Sequence, residues 1–154
     1  ISAIANRGTV FSLSLLDKMT DSQGNLIEDF TPEVRSHADM AESTWDAVQL
    51  GMRRVISNGS ARRIFSDLEV DIAGKTGTAQ ITNNEPNHAL FVSFAPYENP
   101  EISITVVIPN GFSSSNAAEL ASKVYQYYYD KSSRKKLMDG KVSSPAMGGT
   151  RQTD

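Results

Sequence analysis

Residues 70–82 have the sequence Val-Asp-Ile-Ala-Gly-Lys-Thr-Gly-Thr-Ala-Gln-Ile-Thr, and this stretch predicts a β-strand. Two more strands are predicted after it. Ala89–Ala95 is nearly all apolar, as expected of a central strand that is covered on both faces. Ile102–Ile108 is β-branched except for Ser103. Because short turns connect the three strands, they must be antiparallel. With helices predicted before and after the strands, the fold class is α+β, an antiparallel sheet flanked by helices.

The first of these strands carries the tetrapeptide Lys75-Thr76-Gly77-Thr78. On an extended backbone, Lys75 and Gly77 point to one face and the two threonines to the other. A fixed cation, two hydroxyls and a backbone N–H can hold a substrate carboxylate and stabilise an oxyanion, and glycine lets a substrate approach closely. The plainer alternative is a solvated edge strand with a surface lysine. A phosphate-binding loop is excluded, because it needs glycine where Glu69 stands and a helix afterwards.

Two helices are predicted around the strands. The first begins at Ser43, with Asp46 in a capping-box-like position, and ends at Asn58-Gly59. Its apolar stripe consists of Trp45, Val48, Met52, Val55 and Ile56. The second follows the Gly/Ser loop 110–116, which also supplies its cap. Its apolar stripe consists of Ala117, Leu120, Ala121, Val124, Tyr125 and Tyr128. Trp45 is expected in the core, and tyrosines 125 and 127–129 are expected to serve packing and surface.

The first 40 residues predict a helix end and a hairpin. Residues 1–6 have the character of a helix end, with Gly8 as its C-cap. Val10–Leu16 and Leu26–Phe30 are predicted to pair as a β-hairpin. Residues 21–25 between them have turn chemistry, with glycine available for positive φ. His37 is expected in an exposed loop.

Composition limits the classes of function. The 154 residues suit one domain with a modest core, and the net charge of −3 argues against a nucleic-acid partner. Residues 131–154 carry six basic and two acidic side chains, so a solvated, partly disordered tail is expected after a folded body, 1–130. Without cysteine, and with only His37 and His88, neither a disulfide nor a metal site is expected. No apolar run of membrane-spanning length and no signal peptide occurs.

A longer series of segments resembles one enzyme family. In the family's order they are Ala3–Val10, Gly51–Ile56 leading to Gly59–Ala61, Ala73–Gln80, His88–Pro96 and Asn99–Ile108. From residue 1 to about residue 130, the chain resembles the C-terminal half of the transpeptidase domain of class B, monofunctional penicillin-binding proteins. Lys-Thr-Gly is one of that family's signature motifs, shared with serine β-lactamases. The family usually has Gly-Thr-Ala where this chain has Gly59-Ser60-Ala61, a change that keeps the hydroxyl.

The resemblance implies a serine transpeptidase that cross-links peptidoglycan stem peptides ending in D-Ala-D-Ala and is acylated by β-lactams. It implies that Lys75 holds the substrate carboxylate, which the hydroxyls of Thr76 and Thr78 also contact. The Thr78 N–H would be half of the oxyanion hole, Gly77 would admit the substrate, and Gln80 would border the cleft. No cofactor is implied. A β-lactam-sensing domain and a β-lactamase-like hydrolase stay open as alternatives.

The family's nucleophilic serine is not expected in this chain. Ser132 and Ser133 each precede a lysine by three positions, but both follow the Lys-Thr-Gly and lie in the basic tail. Ser114-Ser115-Asn116 imitates a second family motif, again in the wrong order, and is better interpreted as a helix cap. His88 begins a strand beside the expected cleft, where a structural role is favoured over catalysis.

The chain is therefore interpreted as part of a longer polypeptide, with residue 1 as a cut point. The expected partner is the N-terminal part of the same transpeptidase, which would supply the serine. By resemblance, the location would be the extracytoplasmic face of the bacterial cell membrane. The membrane anchor would lie in an N-terminal region that this chain does not contain.

Overall fold

Seven strands and five helices make up the part of the chain that the computed structural model describes, residues 1–132 and 134–138. The strands are β1 (Thr9–Phe11), β2 (Lys18–Thr20), β3 (Leu26–Asp29), β4 (Val34–His37), β5 (Ala73–Ala79), β6 (His88–Ala95) and β7 (Ile102–Ile108). The helices are α1 (Ser2–Ala5), α2 (Glu42–Ser57), α3 (Arg62–Phe65), α4 (Ser114–Tyr129) and α5 (Arg134–Met138). The predicted α+β class is confirmed.

The three strands after residue 70 form one antiparallel sheet in the order β5-β6-β7, as predicted. β7 has its predicted bounds, and β6 begins one residue earlier than expected, at His88. β5 is shorter than the predicted 70–82, because regular pairing with β6 runs only from Ala73 to Ala79. The central position of β6 explains its apolar sequence, since side chains on both of its faces are covered.

One face of the sheet packs on α3 and α4. Phe91 of β6 stacks on Phe65 of α3, with 5.4 Å between ring centroids. Tyr125 of α4 is fully buried in the same cluster, and its hydroxyl donates to Ser93 Oγ over 2.9 Å. Desolvation raises the pKa of Tyr125 to about 12. This buried hydrogen bond satisfies two polar groups that would otherwise be costly inside the core.

The opposite face carries a smaller cluster in which Phe94 of β6 packs with Met52 of α2 and Ala5 of α1. Trp45 and Ile56 of α2 are also buried, so the prediction that Trp45 is core is confirmed. Val48, predicted to share the buried stripe, is largely exposed instead. Gln49 takes the inward position, because its side-chain amide donates to the carbonyls of residues 4 and 5 over 2.7 and 3.2 Å.

The predicted start of α2 is wrong. The helix begins at Glu42, and Ala41 is its N-cap, without a side-chain capping bond. Ser43 lies within the first turn. Asp46 does not complete a capping box, because its carboxylate accepts from Arg7 over 2.8 Å, while Glu42 accepts from the same guanidinium over 2.6 Å. A tertiary ion pair has displaced the local capping interaction that the sequence suggested.

Arg7 also ends α1. It takes a left-handed conformation with φ of 59°, and Gly8 follows with φ of 114°. The Gly8 N–H donates to the carbonyl of Ala3 over 2.7 Å, which closes a Schellman-type turn. Gly8 was predicted as the C-cap, but the cap is Asn6 and Gly8 lies two residues beyond it.

The predicted pairing of the N-terminal hairpin is wrong. The predicted strand Val10–Leu16 is regular only from Thr9 to Phe11, and it pairs with β4. β3 pairs instead with β2, across the predicted turn at 21–25. Asp21 holds that turn, because its carboxylate accepts from Asn25 and from the backbone N–H of Gln23. β4 was not predicted, and His37 lies on this strand rather than in a loop.

Helix α4 begins one residue after its cap. Ser113 is the N-cap, and its hydroxyl accepts from the N–H of Ser115 over 3.3 Å. The cap was predicted within 110–116, but the interpretation of Ser114-Ser115-Asn116 as the cap is wrong, because these residues form the first turn. Leu120, Val124 and Tyr128, predicted to face the sheet, are substantially exposed.

Candidate active site

The Lys-Thr-Gly tetrapeptide lies in the middle of β5, at the edge of the three-stranded sheet. Lys75 and Thr78 are exposed, and Thr76 and Gly77 are half-buried. In the register with β6, Thr76 and Thr78 stand opposite Phe91 and Ala89, on the face that packs on α4. Lys75 and Gly77 belong to the other face, as the strand periodicity predicts. Alternate backbone groups of an edge strand point away from the sheet, where a ligand can pair with them.

Lys75 is an exposed cation on β5. Its Nζ donates to the carbonyl of Thr76 over 2.8 Å. Within residues 1–132 and 134–138, no carboxylate forms an ion pair with it. The ammonium has two further protons to donate. Lys75 can therefore accept an external carboxylate without breaking an internal salt bridge.

The two glycines of β5 have different surroundings. A Cβ on Gly74 would lie 2.7 Å from Cζ of Phe91 and 3.0 Å from the carbonyl of Val92. A Cβ on Gly77 would lie no closer than 3.4 Å to another atom, which is ordinary contact. The fold thus requires glycine at 74 but leaves room for a side chain at 77. Because glycine weakens a strand interior, a position that does not need it structurally is a candidate for close ligand approach.

Gln80 and His88 lie at the same end of the sheet as Thr78. Gln80 follows the last residue of β5, and its side-chain amide donates to Asn83 Oδ1 over 3.2 Å within the β5–β6 turn. His88 stands opposite Ala79 in the register, and its Nδ1 lies 2.9 Å from the backbone nitrogen of Asn110. Gln80 is thus beyond the strand, bordering rather than lining the Lys-Thr-Gly edge.

The turn that contacts His88 was not recognised from the sequence as part of the site. Asn110 and Phe112 both take left-handed conformations, with φ of 52° and 64°, on either side of Gly111. The Phe112 N–H donates to the carbonyl of Asn87 over 3.0 Å, and the phenyl ring is 72% exposed. The Asn110-Gly111 pair is a strong turn signal that could have located this feature.

The residues set aside at the sequence level stay outside the candidate site. Ser132, exposed in the segment after α4, donates its hydroxyl hydrogen to the carboxylate of Asp130 over 2.6 Å. Ser133 lies outside the described residues, as does the side chain of Lys136. Asn116 donates from its amide to the carbonyl of Gly111 over 2.7 Å. His37 contacts Thr9 Oγ1, remote in sequence from the tetrapeptide.

Residues 1–132 and 134–138 contain no cluster of three or more His, Asp or Glu side chains that could hold a metal ion. In the same ranges, no helix has the length and apolar character needed to span a membrane.

The sequence matches a known protein family over most of its length. The family model described as "Penicillin binding protein transpeptidase domain" matches residues 1–126. The chain belongs to the family of penicillin-binding-protein transpeptidase domains, and the resemblance predicted from its motifs is confirmed.

Relatives named as peptidoglycan transpeptidases or penicillin-binding proteins are similar to the chain in sequence. The chain is 40% identical over 103 residues to the peptidoglycan D,D-transpeptidase MrdA of Haemophilus influenzae, which covers 56% of this chain and 16% of the relative. It is 31% identical over 153 residues to penicillin-binding protein 2A of Bacillus subtilis, covering 87% of this chain and 21% of the relative. The chain therefore spans about a fifth or less of the length of these relatives.

A solved structure shows the same fold. Penicillin-binding protein 2 of Pseudomonas aeruginosa, solved in complex with WCK 5153, superposes with a TM-score of 0.66 at 30% identity. The match covers 85% of this chain and 29% of that one. The predicted fold family is confirmed, whereas the roles of Lys75, Thr76, Gly77, Thr78 and Gln80 stay predictions.

Proposed function

We propose that this chain supplies the carboxylate-binding and oxyanion-stabilising strand of a serine D,D-transpeptidase that cross-links peptidoglycan stem peptides and is acylated by β-lactams. The observation that supports this proposal most directly is the edge of β5. There Lys75 forms no ion pair with a carboxylate among the described residues, and Gly77 is open to close approach. Both features suit an extended peptide with a terminal carboxylate, because such a ligand can lie along an edge strand.

Each residue of the strand has a part in this reaction. Lys75 attracts the terminal carboxylate of the substrate, and the hydroxyls of Thr76 and Thr78 donate to it or to its network. A serine oxygen attacks the carbonyl of the penultimate D-alanine, and the Thr78 N–H stabilises the resulting oxyanion. Collapse releases D-alanine and leaves an ester. The amine of a second stem peptide attacks that ester, forms the cross-link and frees the serine.

A β-lactam follows the same first step. The serine attacks the ring carbonyl and the ring C–N bond opens, but the leaving nitrogen stays attached to the acyl group. The carboxylate of the drug occupies the position beside Lys75 that the substrate carboxylate would take. Gln80, beyond the end of β5, borders the bound molecule.

The serine comes, in this proposal, from a segment outside these residues, the N-terminal part of the same transpeptidase. No Ser-x-x-Lys sequence precedes Lys75 in the chain. Two surfaces support a companion segment. β7 forms the other edge of the described sheet, with Val107 exposed on it. The second surface is an exposed apolar stripe on α4, which a companion segment could cover. It comprises Leu120, Val124 and Tyr128.

The cellular location follows from the substrate. Peptidoglycan is assembled outside the cytoplasmic membrane, so the domain would act on the extracytoplasmic face of that membrane. Its anchor would lie in the N-terminal part of the polypeptide.

Intact-mass spectrometry after incubation with a penicillin tests this function. In the full-length protein carrying these residues, we expect one long-lived adduct, on a serine outside residues 1–154. On the 154-residue chain alone we expect none. An adduct on Ser132 or Ser133 would overturn the assignment of the nucleophile. Rapid turnover of the penicillin without cross-linking of stem peptides would identify a β-lactamase-like hydrolase instead, and an adduct without cross-linking would identify a sensor.

A further inference from the structure

The hydrogen bond between His88 and Asn110 defines the state of the imidazole. A backbone N–H can only donate, and Asn110 N lies 2.9 Å from His88 Nδ1. Nδ1 must therefore be the acceptor, and a neutral ring carries its proton on Nε2. In the imidazolium both nitrogens carry hydrogen, so protonation replaces this hydrogen bond with two donors facing each other.

The bond fastens a conformationally unfavourable turn. Asn110 and Phe112 are both left-handed, a conformation that costs free energy in residues other than glycine and persists only when its surroundings hold it. Gly111 is pressed against β6, since a Cβ there would lie 2.8 Å from that of Ala89. The carbonyl of Asn87 accepts from the Phe112 N–H. The turn is thus attached to three consecutive residues at the start of β6, namely 87, 88 and 89.

These residues are the neighbours of the proposed oxyanion donor. In the register of the sheet, His88 pairs with Ala79 and Ala89 pairs with Thr78. β5 is an edge strand, and Thr78 and Ala79 are exposed. Cross-strand pairing with the start of β6 is therefore the main restraint on the backbone of Thr78. Whatever fixes the start of β6 also fixes the direction of the Thr78 N–H.

We propose that neutral His88 is a positioning residue for acyl transfer. It holds the turn 110–112 against the start of β6 and thereby keeps the end of β5 in the geometry that stabilises the oxyanion. Protonation of His88 releases the turn and slows acylation. This inference rests on the proposed function, because it assigns a task only if Thr78 serves the oxyanion.

Several elements near His88 carry charged side chains. Helix α2 packs on the same face of the sheet as His88 and carries Glu42, Asp46, Arg53 and Arg54. On its own face of the sheet, β5 contributes Lys75, near the far end of the strand from Ala79, and the β5–β6 turn contributes Glu85. β7 and residues 109–113 carry only neutral side chains. Glu119 and Lys123 lie on α4 beyond its first turn. The group in direct contact with Nδ1 is the Asn110 N–H, so a proton on Nδ1 would face that N–H.

Two substitutions separate the hydrogen bond from the volume of the ring. In His88→Asn, the side-chain oxygen can replace Nδ1 as the acceptor but does not titrate. In His88→Phe, the ring remains and the acceptor is lost. The full-length protein carrying these residues would be acylated with a chromogenic β-lactam across the pH range. The dissociation constant of the initial complex and the acylation rate constant would be measured separately.

We expect the acylation rate constant of His88→Phe to fall roughly five- to tenfold at neutral pH, the effect of losing one hydrogen bond of ordinary strength. Its dissociation constant should change little, because Lys75 lies far along β5. In the wild type, the acylation rate constant should decrease at acidic pH, where His88 is protonated. His88→Asn should keep the wild-type rate constant at neutral pH and should not show this decrease. NMR of the wild-type imidazole should show a Nε2-protonated tautomer, titrating over the same pH interval as the acylation rate.

The proposal is overturned if the acylation rate constant of His88→Asn still decreases at acidic pH. It is equally overturned if the imidazole of the wild type titrates in a different pH interval from the one in which the acylation rate constant changes. It is also overturned if NMR finds the proton on Nδ1 at neutral pH. Should His88→Phe fail to fold, the Asn variant and the NMR titration decide alone. Absence of any wild-type acylation would instead contradict the proposed function, so the two failures are distinguishable.

Discussion

Gly74 lies against the ring of Phe91 so closely that an added Cβ would be 2.7 Å from Cζ of the ring. Three residues along the same strand, Gly77 has no such neighbour. The two glycines of β5 are thus separable by experiment, one serving the packing of the sheet and the other serving the proposed ligand.

Gly74→Ala should destabilise the fold by about 1–3 kcal/mol, because the buried Phe91 and the backbone of Val92 must shift to admit a methyl group. Gly77→Ala, the matched control, should leave the free energy of unfolding within about 0.5 kcal/mol of wild type. It should nevertheless slow acylation by a β-lactam roughly tenfold or more, since the methyl group obstructs the oxyanion region. Urea denaturation and acylation kinetics measure the two effects. Equal loss of stability in both variants would contradict the distinction.

Replacing Lys75 should weaken carboxylate binding. Lys75→Met keeps most of the side-chain volume but removes the charge, so acylation efficiency should fall roughly 10- to 100-fold, the range for a hydrogen bond to a charged group. The wild-type efficiency should also decline with added salt more steeply than that of the variant. Lys18→Met, at an exposed position on β2, is the matched control and should have no effect. Similar kinetics for the two variants would remove Lys75 from the site.

The cap of α4 predicts a difference between adjacent serines. Ser113→Ala should reduce stability by about 1 kcal/mol, because the N–H of Ser115 loses its acceptor at the helix start. Ser114→Ala should be nearly neutral, since that hydroxyl lies in the first turn and does not cap the helix. Thermal denaturation of the two variants makes the comparison. A larger loss for Ser114→Ala would place the cap one residue later.

Tyr125 predicts a loss of stability in alkali. Burial raises its pKa to about 12, whereas in the unfolded chain the phenol titrates near its ordinary value of about 10. Between these two values the folded state retains the proton that the unfolded state releases, so stability falls as pH rises. Tyr125→Phe should flatten this fall. Ser93→Ala, which removes the hydrogen-bond partner but leaves the phenol buried, should retain it. Denaturant titrations from pH 9 to pH 12 would measure both slopes, and identical slopes for wild type and Tyr125→Phe would refute the assignment.

The sheet was predictable from sequence because its signals are local and strong. Continuous apolar and β-branched stretches separated by short turns allow only an antiparallel arrangement, and β7 has its predicted bounds. The start of α2 was not predictable in the same way. Asp46 fits a capping pattern locally, but Arg7, 39 positions earlier in the chain, forms an ion pair with it. The capping pattern spans only four residues, so it cannot indicate a contact between residues 39 positions apart.

The same contrast holds for the candidate site. Lys75 to Thr78 could be found from four consecutive residues, whereas the openness around Gly77 depends on Leu90 in the neighbouring strand. The bond from Asn110 to His88 joins residues 22 positions apart. The error in pairing β3 has a related cause. β3 and its actual partner β2 are only four and three residues long and are fully exposed, so no buried face specifies their pairing.

β2 and β3 form a two-stranded sheet of their own, and every residue of the two strands is exposed. Hydrogen bonds to Asp21 hold the turn at 21–25. The turn faces open space at Gly24, which has no atom within 4 Å of an added Cβ. The tip of this hairpin is accordingly a point of attachment. A fluorophore or a spin label attached through the exposed side chain of Gln23 would keep the backbone hydrogen bonds of this turn and leave the strand of Lys75 untouched.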